Sequence, residues 1–258
     1  MCGISAVYGE YAALKAMLIV LKQLERGTKG SGVAYMCNGE LVVLKQPTHP
    51  VEFFDRCFRS IAVETRMAIA HNRLPSAGGV SYENTHPFVD CKGRFALAHN
   101  GHAFVDHMRS YLDEMGHKVQ GQTDSEVLTH LLEEYYDEYG DMLMAVKELV
   151  ENHLSGTIVV LTKDSEIYCA RSGMAPLNYA VDDDEIYVAS SESAIREVCK
   201  MLGKDEYVVV RADNDEVLRI DRDGFIDHLK ITAKRRRQNH PIYYDAYYGD
   251  WMDYLFRI

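Results

Sequence analysis

The sequence predicts a layered α+β fold, in which strands lie at both ends of the chain and helices lie between them. Three observations support this prediction. Residues 3–9 form a short apolar strand pattern that ends in glycine. Helical spacing of apolar residues dominates residues 104–154, and apolar runs separated by turn residues follow Gly156. The 258 residues are enough to bury a sizeable core in one domain.

The first half of the chain combines helical segments with apolar strands. Asn38-Gly39 lies between two apolar runs, which is a strong hairpin signal. Two later strands are each expected to stop at a polar loop, the second at Asn100-Gly101, so both could aim functional groups at one place. The predicted elements are a helix over residues 11–26, strands over 33–37 and 41–44, a helix over 51–63, and strands over 67–71 and 95–99.

The second half begins with helices and ends mainly with strands. Thr123 and Glu126 form a capping box, in which a hydroxyl and a carboxylate three residues apart satisfy free amides at a helix start. The predicted helices cover residues 104–115, 123–132, 141–154 and 190–202, and the predicted strands cover 157–161, 167–170, 186–189 and 208–219.

A basic and tyrosine-rich tail, residues 221–258, is predicted to follow a single domain over residues 2–220. It carries the run Lys234-Arg235-Arg236-Arg237 and seven aromatic residues from Tyr243 to Phe256. Aromatic residues of this density are favoured at protein interfaces, and packing against their own domain is an equal alternative. For the basic run, a solvated surface is favoured over a phosphate contact.

The formal net charge of −11 argues against a general nucleic-acid surface. No apolar run reaches the roughly 18 residues that span a bilayer, and the N-terminus lacks the basic and apolar pattern of a signal peptide. The six cysteines are far apart and include no C-x-x-C pair, which argues against a zinc ribbon or a disulfide scaffold. A cytoplasmic protein with free thiols is therefore expected.

Cys2 directly follows the initiator methionine, which is chemically unusual. Removal of Met1 would leave one residue that carries both a thiol and a free α-amino group. The amine titrates at about 7.7–8.0 and a thiol near 8.5, so at neutral pH the amine can act as a base beside its own nucleophile. Considered alone, a chance cysteine on a frayed terminus is the simpler interpretation.

Several further motifs follow in order, and with Cys2 they resemble the class II glutamine amidotransferases, which are of the N-terminal-nucleophile hydrolase type. Each motif is modest alone, but their order and spacing make the set specific. The matching segments are Met1-Cys2-Gly3-Ile4, Arg26-Gly27 with Gly32, His71-Asn72-Arg73, Tyr82-Glu83-Asn84-Thr85-His86-Pro87-Phe88, Ala96-Leu97-Ala98-His99-Asn100-Gly101, Thr123-Asp124-Ser125-Glu126-Val127-Leu128, Arg171 with Pro176-Leu177, and Ala189-Ser190-Ser191-Glu192-Ser193-Ala194.

The resemblance implies a four-layer αββα sandwich and a glutaminase reaction. Cys2 is implied to attack the side-chain amide of glutamine, which releases ammonia and leaves a γ-glutamyl thioester that water then hydrolyses. The Asn100 side-chain amide and the Gly101 backbone N–H are implied to donate to the negative oxygen of the tetrahedral intermediate.

The same resemblance implies how a free amino acid is recognised. Arg73 is implied to bind the glutamine α-carboxylate, because a forked guanidinium suits a carboxylate better than an ammonium does. Asp124 is implied to receive the α-ammonium group. Arg26 is implied to line the loop beside the nucleophile, and Ser76 and His86 to lie near the glutamine pocket.

Each of these residues also has a purely structural interpretation. Asp124 is favoured as the first residue of a capped helix, Asn100-Gly101 could be a plain turn, and Arg73 could form a surface ion pair. The chain departs from the family pattern at Lys29, where an acidic residue is frequent, and at Leu74, where an aromatic residue usually follows the arginine. No metal and no cofactor are expected, because the histidine spacing matches no zinc motif in the set His71, His86, His99, His102 and His107.

The resulting hypothesis is a stand-alone glutaminase domain that acts on L-glutamine and passes ammonia to a separate synthase. It rests on the length of the chain, since only about 60 residues follow the last matching motif. The aromatic tail is the expected docking surface, and a homo-oligomer is left open. Two alternatives remain: an N-terminal-nucleophile amidohydrolase that acts on another amide, and a non-catalytic, glutamine-sensing regulatory subunit.

Overall fold

The computed structural model describes residues 1–105, 107–182 and 184–231, which form two antiparallel β-sheets between two layers of helices. The strands are β1 Gly3–Tyr8, β2 Ser31–Cys37, β3 Glu40–Gln46, β4 Met67–Asn72, β5 Phe88–Val89, β6 Phe95–Ala103, β7 Leu154–Thr162, β8 Ile167–Ser172, β9 Asn178–Asp182, β10 Glu185–Ala189, β11 Val208–Arg211, β12 Glu216–Ile220 and β13 Ile226–Lys230. The α-helices are α1 Ala12–Leu21, α2 Pro50–Ile61, α3 Met108–Glu114, α4 Asp124–Tyr139, α5 Met142–Asn152 and α6 Glu192–Met201.

The first sheet has seven strands in the order β11-β9-β10-β1-β4-β2-β3. Strand β1 lies inside this sheet, because Ser5 pairs with Ala189 of β10 on one side and with Ala70 of β4 on the other. Helices α1, α2 and α6 cover the outer face and bury residues such as Met17, Phe53 and Ile195 against it.

The second sheet has six strands in the order β13-β12-β8-β7-β6-β5. Helices α3, α4 and α5 cover its outer face, where Leu112, Leu128 and Val146 pack against Phe95 and Leu97 of β6. Glycine ends helix α4, since Gly140 at its C-terminus has a φ of 65°, in the left-handed region.

An apolar layer lies between the two sheets. Ile4 and Ala6 of β1 belong to one buried cluster with Ala96 and Ala98 of β6. Alternate residues of a strand face opposite sides of the sheet, so these positions identify the inward faces of both strands. The predicted four-layer αββα sandwich is confirmed.

Local turn and cap signals are reproduced closely. Asn38 and Gly39, with φ values of 52° and 79°, connect β2 to β3 as a hairpin, which confirms the prediction. The Thr123 hydroxyl accepts a hydrogen bond from the Glu126 backbone N–H at 3.3 Å, as expected for an N-cap. The Glu126 carboxylate departs from the expected box, because it accepts from the backbone N–H groups of Gln120 and Gly121.

The expectation that a strand stops at Asn100-Gly101 is wrong. Strand β6 continues to Ala103, and Gly101 pairs with Gly156 of β7. Gly101 has a φ of 150°, and a Cβ atom there would lie 2.4 Å from the Ser155 carbonyl oxygen. Two facing glycines therefore let the ladder continue where a side chain would break it.

The strands near the C-terminal end also differ from expectation. Strand β9 has no counterpart among the predicted elements, and the range 208–219 contains two strands, β11 and β12, rather than one. Strand β13 pairs with β12, although it falls in the range 221–258 that was predicted as tail. The basic run and the aromatic residues of that tail lie outside the described residues. No helix in the described ranges is long and apolar enough to cross a bilayer.

Candidate active site

Cys2 lies at the entrance of the layer between the sheets. It directly precedes β1, in which the side chains of Ile4 and Ala6 face the second sheet. Because every second residue of a strand faces the same side, Cys2 continues this inward-facing row. The Leu74 backbone N–H donates to the Cys2 Sγ at 3.3 Å, and the thiol lies 3.5 Å from the Leu74 carbonyl oxygen. Burial raises the pKa of the Cys2 thiol, against the opposing effects of this N–H, the chain's terminal amine, Arg73 and Arg26. The thiol therefore needs a base before it can act as a nucleophile.

Buried polar side chains hold the start of β1 in place. The Gln23 amide Nε2 donates to the Ile4 carbonyl at 3.1 Å, and the Ser190 hydroxyl accepts from the Ile4 N–H at 3.1 Å. Arg26 Nε donates to the Cys2 carbonyl at 2.9 Å, so its side chain lies beside Cys2. Gln23 and Ser190 were not among the predicted site residues, because no local pattern distinguishes them from other polar residues.

Arg73 also belongs to the inward face, because it lies four residues after the inward-facing Ile69 of β4 and alternate strand residues face the same side. Its side chain is buried rather than part of a surface ion pair. The two terminal nitrogens donate to the carbonyl oxygens of Ala77 and Gly79, each at 2.7 Å. Arg73 thus holds the exposed loop over residues 74–80, on which Ser76 is exposed to solvent.

The glycine-rich loop before β2 packs directly on the backbone of Arg73. The Arg73 N–H donates to the Gly30 carbonyl at 2.8 Å, and the Lys29 N–H donates to the Arg73 carbonyl at 3.0 Å. A Cβ atom on Gly27 would lie 2.5 Å from the Arg73 carbonyl carbon, and one on Gly32 would lie 2.2 Å from the His86 carbonyl oxygen. Glycine is required here because two backbones meet.

Asn100 supplies an unused hydrogen-bond donor in the same layer. It continues the inward parity of Ala96 and Ala98 on β6 and is 2% exposed. Among the described residues, its Nδ2 is buried without a hydrogen-bond partner. A buried amide that lacks a partner is unfavourable, which makes it a candidate for binding a group that arrives with a ligand.

Asp124 lies at the far end of the same strand. Its Oδ2 accepts from the Ala103 backbone N–H at 2.9 Å, and its Oδ1 lies 3.4 Å from the Ser125 hydroxyl. The Ser125 hydroxyl is also 2.9 Å from His99 Nδ1. Strand β6 therefore links Asn100 and Gly101 to the start of helix α4, where Asp124 is half-buried.

His71 and His86 form a buried pair behind Arg73. Their ring centroids are 3.9 Å apart, and within the described chain neither ring nitrogen of either residue has a hydrogen-bond partner. Burial, with smaller contributions from His99 and Arg73, lowers the pKa of His71 to about 3. Burial likewise places the pKa of His86 well below its usual value. Both rings are neutral at pH 7.

The His71→Phe variant is expected to reduce the acid sensitivity of the fold. An unfolded histidine titrates near 6.5, so between pH 6.5 and about 3 the unfolded chain binds a proton that folded His71 does not. The free energy of unfolding should then fall with decreasing pH by up to about 1.4 kcal/mol per pH unit from this group. Urea titrations at pH 7, 5.5 and 4.5 should show that slope reduced in the variant. Equal slopes in parent and variant would contradict the assignment.

The chain belongs to the class II glutamine amidotransferase family, since the family profile described as "Glutamine amidotransferases class-II" matches residues 18–181. It is 32% identical to a glutamine–fructose-6-phosphate aminotransferase of Streptomyces coelicolor, over 86% of this chain and 37% of that protein. It is 30% identical to the enzyme of the same name from Thermus thermophilus, over 97% of this chain and 39% of that protein. The chain thus spans about two fifths of these curated relatives.

Solved structures share the fold. The glutamine phosphoribosylpyrophosphate amidotransferase from B. subtilis matches with a TM-score of 0.74 and 23% identity, over 90% of this chain and 49% of that one. A glutamine aminotransferase class-II domain protein from Silicibacter pomeroyi matches with a TM-score of 0.54 and 16% identity, over 88% of this chain and 99% of that one. These structures support the sandwich and its two antiparallel sheets.

Proposed function

We propose that this chain hydrolyses L-glutamine to glutamate and ammonia, with Cys2 as the nucleophile. The observation that carries the proposal is the buried Asn100 Nδ2, which has no hydrogen-bond partner among the described residues and which strand alternation places on the same side as Cys2 and Arg73. A nucleophile, a donor for a negative oxygen and a buried guanidinium are what amide hydrolysis of a free amino acid requires.

The chemistry begins with removal of Met1, which frees the α-amino group of Cys2. This amine takes the thiol proton, and Sγ attacks the carboxamide carbon of glutamine. The oxygen of the tetrahedral intermediate becomes negative and accepts from Asn100 Nδ2 and the Gly101 N–H. The amine returns its proton to the leaving nitrogen, and ammonia departs to leave a γ-glutamyl thioester. Water then attacks the thioester, which releases glutamate and restores the thiol.

Selection of a free amino acid falls to Arg73 and Asp124. The guanidinium binds the α-carboxylate, and because it has five N–H donors it can share them with the carbonyls of Ala77 and Gly79. The Asp124 carboxylate binds the α-ammonium. His86 supports the pocket as a neutral, buried ring, and the exposed Ser76 lies near it on the 74–80 loop.

The Arg73→Lys variant should lower kcat/KM for glutamine by about 10- to 150-fold, mainly through KM. A lysine keeps the charge but loses the forked pair of donors, and a hydrogen bond to a charged group contributes about 1.5–3 kcal/mol. Steady-state ammonia release measures the effect. Arg59→Lys on the exposed face of helix α2 is the matched control and should leave both constants unchanged. An unchanged KM in Arg73→Lys would exclude a role for Arg73 in substrate binding.

Covalent labelling tests the proposed function directly. The purified full chain is incubated with a diazo-ketone analogue of glutamine, and its intact mass is measured. Loss of Met1 together with one adduct that maps to Cys2 and is blocked by glutamine is the expected result. A processed chain that takes up no adduct would overturn the proposal and favour a glutamine-sensing role. An adduct that other amides block better than glutamine would favour a different amidohydrolase.

The ammonia acceptor is proposed to be a separate cytoplasmic synthase subunit. The curated relatives are named for transfer from glutamine to fructose 6-phosphate, which is consistent with a synthase as the acceptor of ammonia. Co-purification with the cognate synthase, compared between the full chain and a variant that lacks residues 240–258, tests the tail as the docking segment. Equal association of both forms would exclude that role.

A further inference from the structure

A second cluster of reactive side chains lies outside the candidate active site. Cys91, His117, His130 and Glu133 each offer one possible ligand atom, and these four atoms lie within 4.8 Å of one another. The Cys91 Sγ is 3.4 Å from His117 Nδ1 and 3.6 Å from His130 Nδ1. The Glu133 Oε2 is 3.1 Å from His117 Nδ1 and 3.3 Å from His130 Nδ1.

Four of the six separations match the edges of a tetrahedral zinc site. Zinc binds sulfur at about 2.3 Å, and imidazole nitrogen or carboxylate oxygen at about 2.0–2.2 Å. In a tetrahedron those bond lengths place sulfur and nitrogen about 3.5 Å apart, and nitrogen and oxygen about 3.3 Å apart. The two sulfur–nitrogen and two nitrogen–oxygen distances of the cluster agree with these values within a few tenths of an ångström.

Hydrogen bonding orients His117 within the cluster. His117 Nε2 is 2.8 Å from Glu134 Oε1, and donation of its N–H to that carboxylate leaves Nδ1 with a lone pair. This Nδ1 faces Glu133 Oε2, and an ionised carboxylate oxygen is also only an acceptor. The lone pair on Nδ1 can accept the Cys91 S–H at 3.4 Å or bind a metal ion in its place.

The surroundings resemble the outer shell of a metal site. A carboxylate that accepts from the distal nitrogen of a ligating histidine, as Glu134 does for His117, fixes the tautomer and the ring orientation. The Glu133 Oε1 lies 3.6 Å from an Arg94 guanidinium nitrogen, whereas Oε2 accepts from the Cys91 backbone N–H at 3.0 Å and lies near both histidines. One thiolate and one carboxylate also balance the charge of a divalent cation.

We propose that these four side chains bind a structural zinc ion. Two histidines, a cysteine and a carboxylate form a mixed donor set that suits zinc, and four protein ligands leave no open position for a reaction. Three ligand side chains are nearly buried, whereas Cys91 is exposed and offers an entry path. The sequence-based expectation of no metal considered other histidines, because these four ligands follow no known spacing.

The zinc ion would connect three segments that the chain order keeps apart. Cys91 follows β5, His117 lies in the connection between α3 and α4, and His130 with Glu133 lies on α4. The same connection contacts the 79–84 region, where the Gln122 N–H donates to Asn84 Oδ1 at 2.7 Å. The site would thereby fix the connection that leads into Asp124, independently of whether the chain hydrolyses glutamine.

Metal analysis of the full-length chain tests this proposal. Mass spectrometry of the purified protein for bound metals should give one zinc per chain. Replacement of zinc by Co²⁺ should give the visible bands of tetrahedral cobalt and a thiolate-to-cobalt charge-transfer band. The Cys91→Ser variant should lose that charge-transfer band, whereas Cys2→Ala should retain it. Glu134→Gln, which alters only the outer shell, should weaken zinc binding by about 10- to 100-fold in a chelator competition.

Three results would overturn the proposal. The first is a folded parent chain that takes up neither zinc nor Co²⁺. The second is zinc binding that Cys91→Ser leaves unchanged in content and affinity. The third is a cobalt charge-transfer band that disappears in Cys2→Ala. The cobalt spectrum of the parent chain needs no substitution, so the test does not depend on whether a variant folds.

Discussion

The Cys2→Ala variant is expected to lose glutaminase activity by about 10⁴-fold or more. Removal of a catalytic nucleophile leaves only substrate binding and oxyanion stabilisation, and in serine hydrolases the loss is of this order or larger. The variant should still bind glutamine, because Arg73 and Asp124 are unchanged. Ammonia release under saturating glutamine measures the loss, and isothermal titration measures the retained binding.

A matched cysteine variant separates this effect from a general sensitivity to cysteine loss. Cys37 at the end of β2 is also half-buried, and Cys37→Ser should retain full activity. The fold should tolerate Cys2→Ala, since among the described residues the hydrogen bonds of its thiol involve only the backbone of Leu74. Activity above one hundredth of the parent value in Cys2→Ala would exclude the thioester mechanism.

The Asn100→Leu variant is expected to lower kcat by about 10²- to 10³-fold, because it removes one donor to the negative oxygen of the transition state. KM should change little, since that donor acts mainly after the thiol has attacked. The free energy of unfolding should change by less than about 1 kcal/mol, because Nδ2 has no partner among the described residues and leucine is similar in shape. Steady-state assays give kcat and KM, and urea titrations on the same preparation give the free energy of unfolding.

Asn178→Leu provides the opposite pattern as a control. The Asn178 Nδ2 donates to the carbonyls of Ala189 and Ser190 at 3.4 and 3.1 Å, so its loss leaves buried acceptors unsatisfied. We expect it to lower the free energy of unfolding by about 1–3 kcal/mol and to affect kcat far less than Asn100→Leu. If Asn100→Leu destabilised the fold as strongly and left kcat intact, its amide would have a structural role only.

Local chemistry made much of the fold predictable. The hairpin at Asn38-Gly39 and the cap at Thr123 depend on residues within a few positions, so sequence alone identifies them. The continuation of β6 through Asn100-Gly101 was not predictable in this way. It depends on Gly156, which is 55 positions from Gly101 and becomes its neighbour only when the sheet forms.

The candidate site likewise combines residues that local motifs identify with residues that only long-range contacts identify. Cys2, Arg73 and Asn100 could be named because their motifs resemble a known family, and strand parity then brings them to one layer. Gln23 could not be named, since its bond to the Ser191 N–H joins residues 168 positions apart. The proposed zinc ligands are distributed over residues 91–133 without a recognisable spacing, so only the folded chain brings them together.

The place of β1 inside its sheet has a consequence for the order of events during synthesis. One neighbour, β4, is available early, but the other, β10, comes from residues 185–189. The Ile4 N–H and the Gln23 side chain also have hydrogen-bond partners that are translated late, namely Ser190 and Ser191. A nascent chain that has emerged only to helix α5 therefore carries Cys2 on an unfinished sheet. Trimming of Met1 can take place in that interval, and Cys2, although translated directly after Met1, is among the last residues to reach its final position.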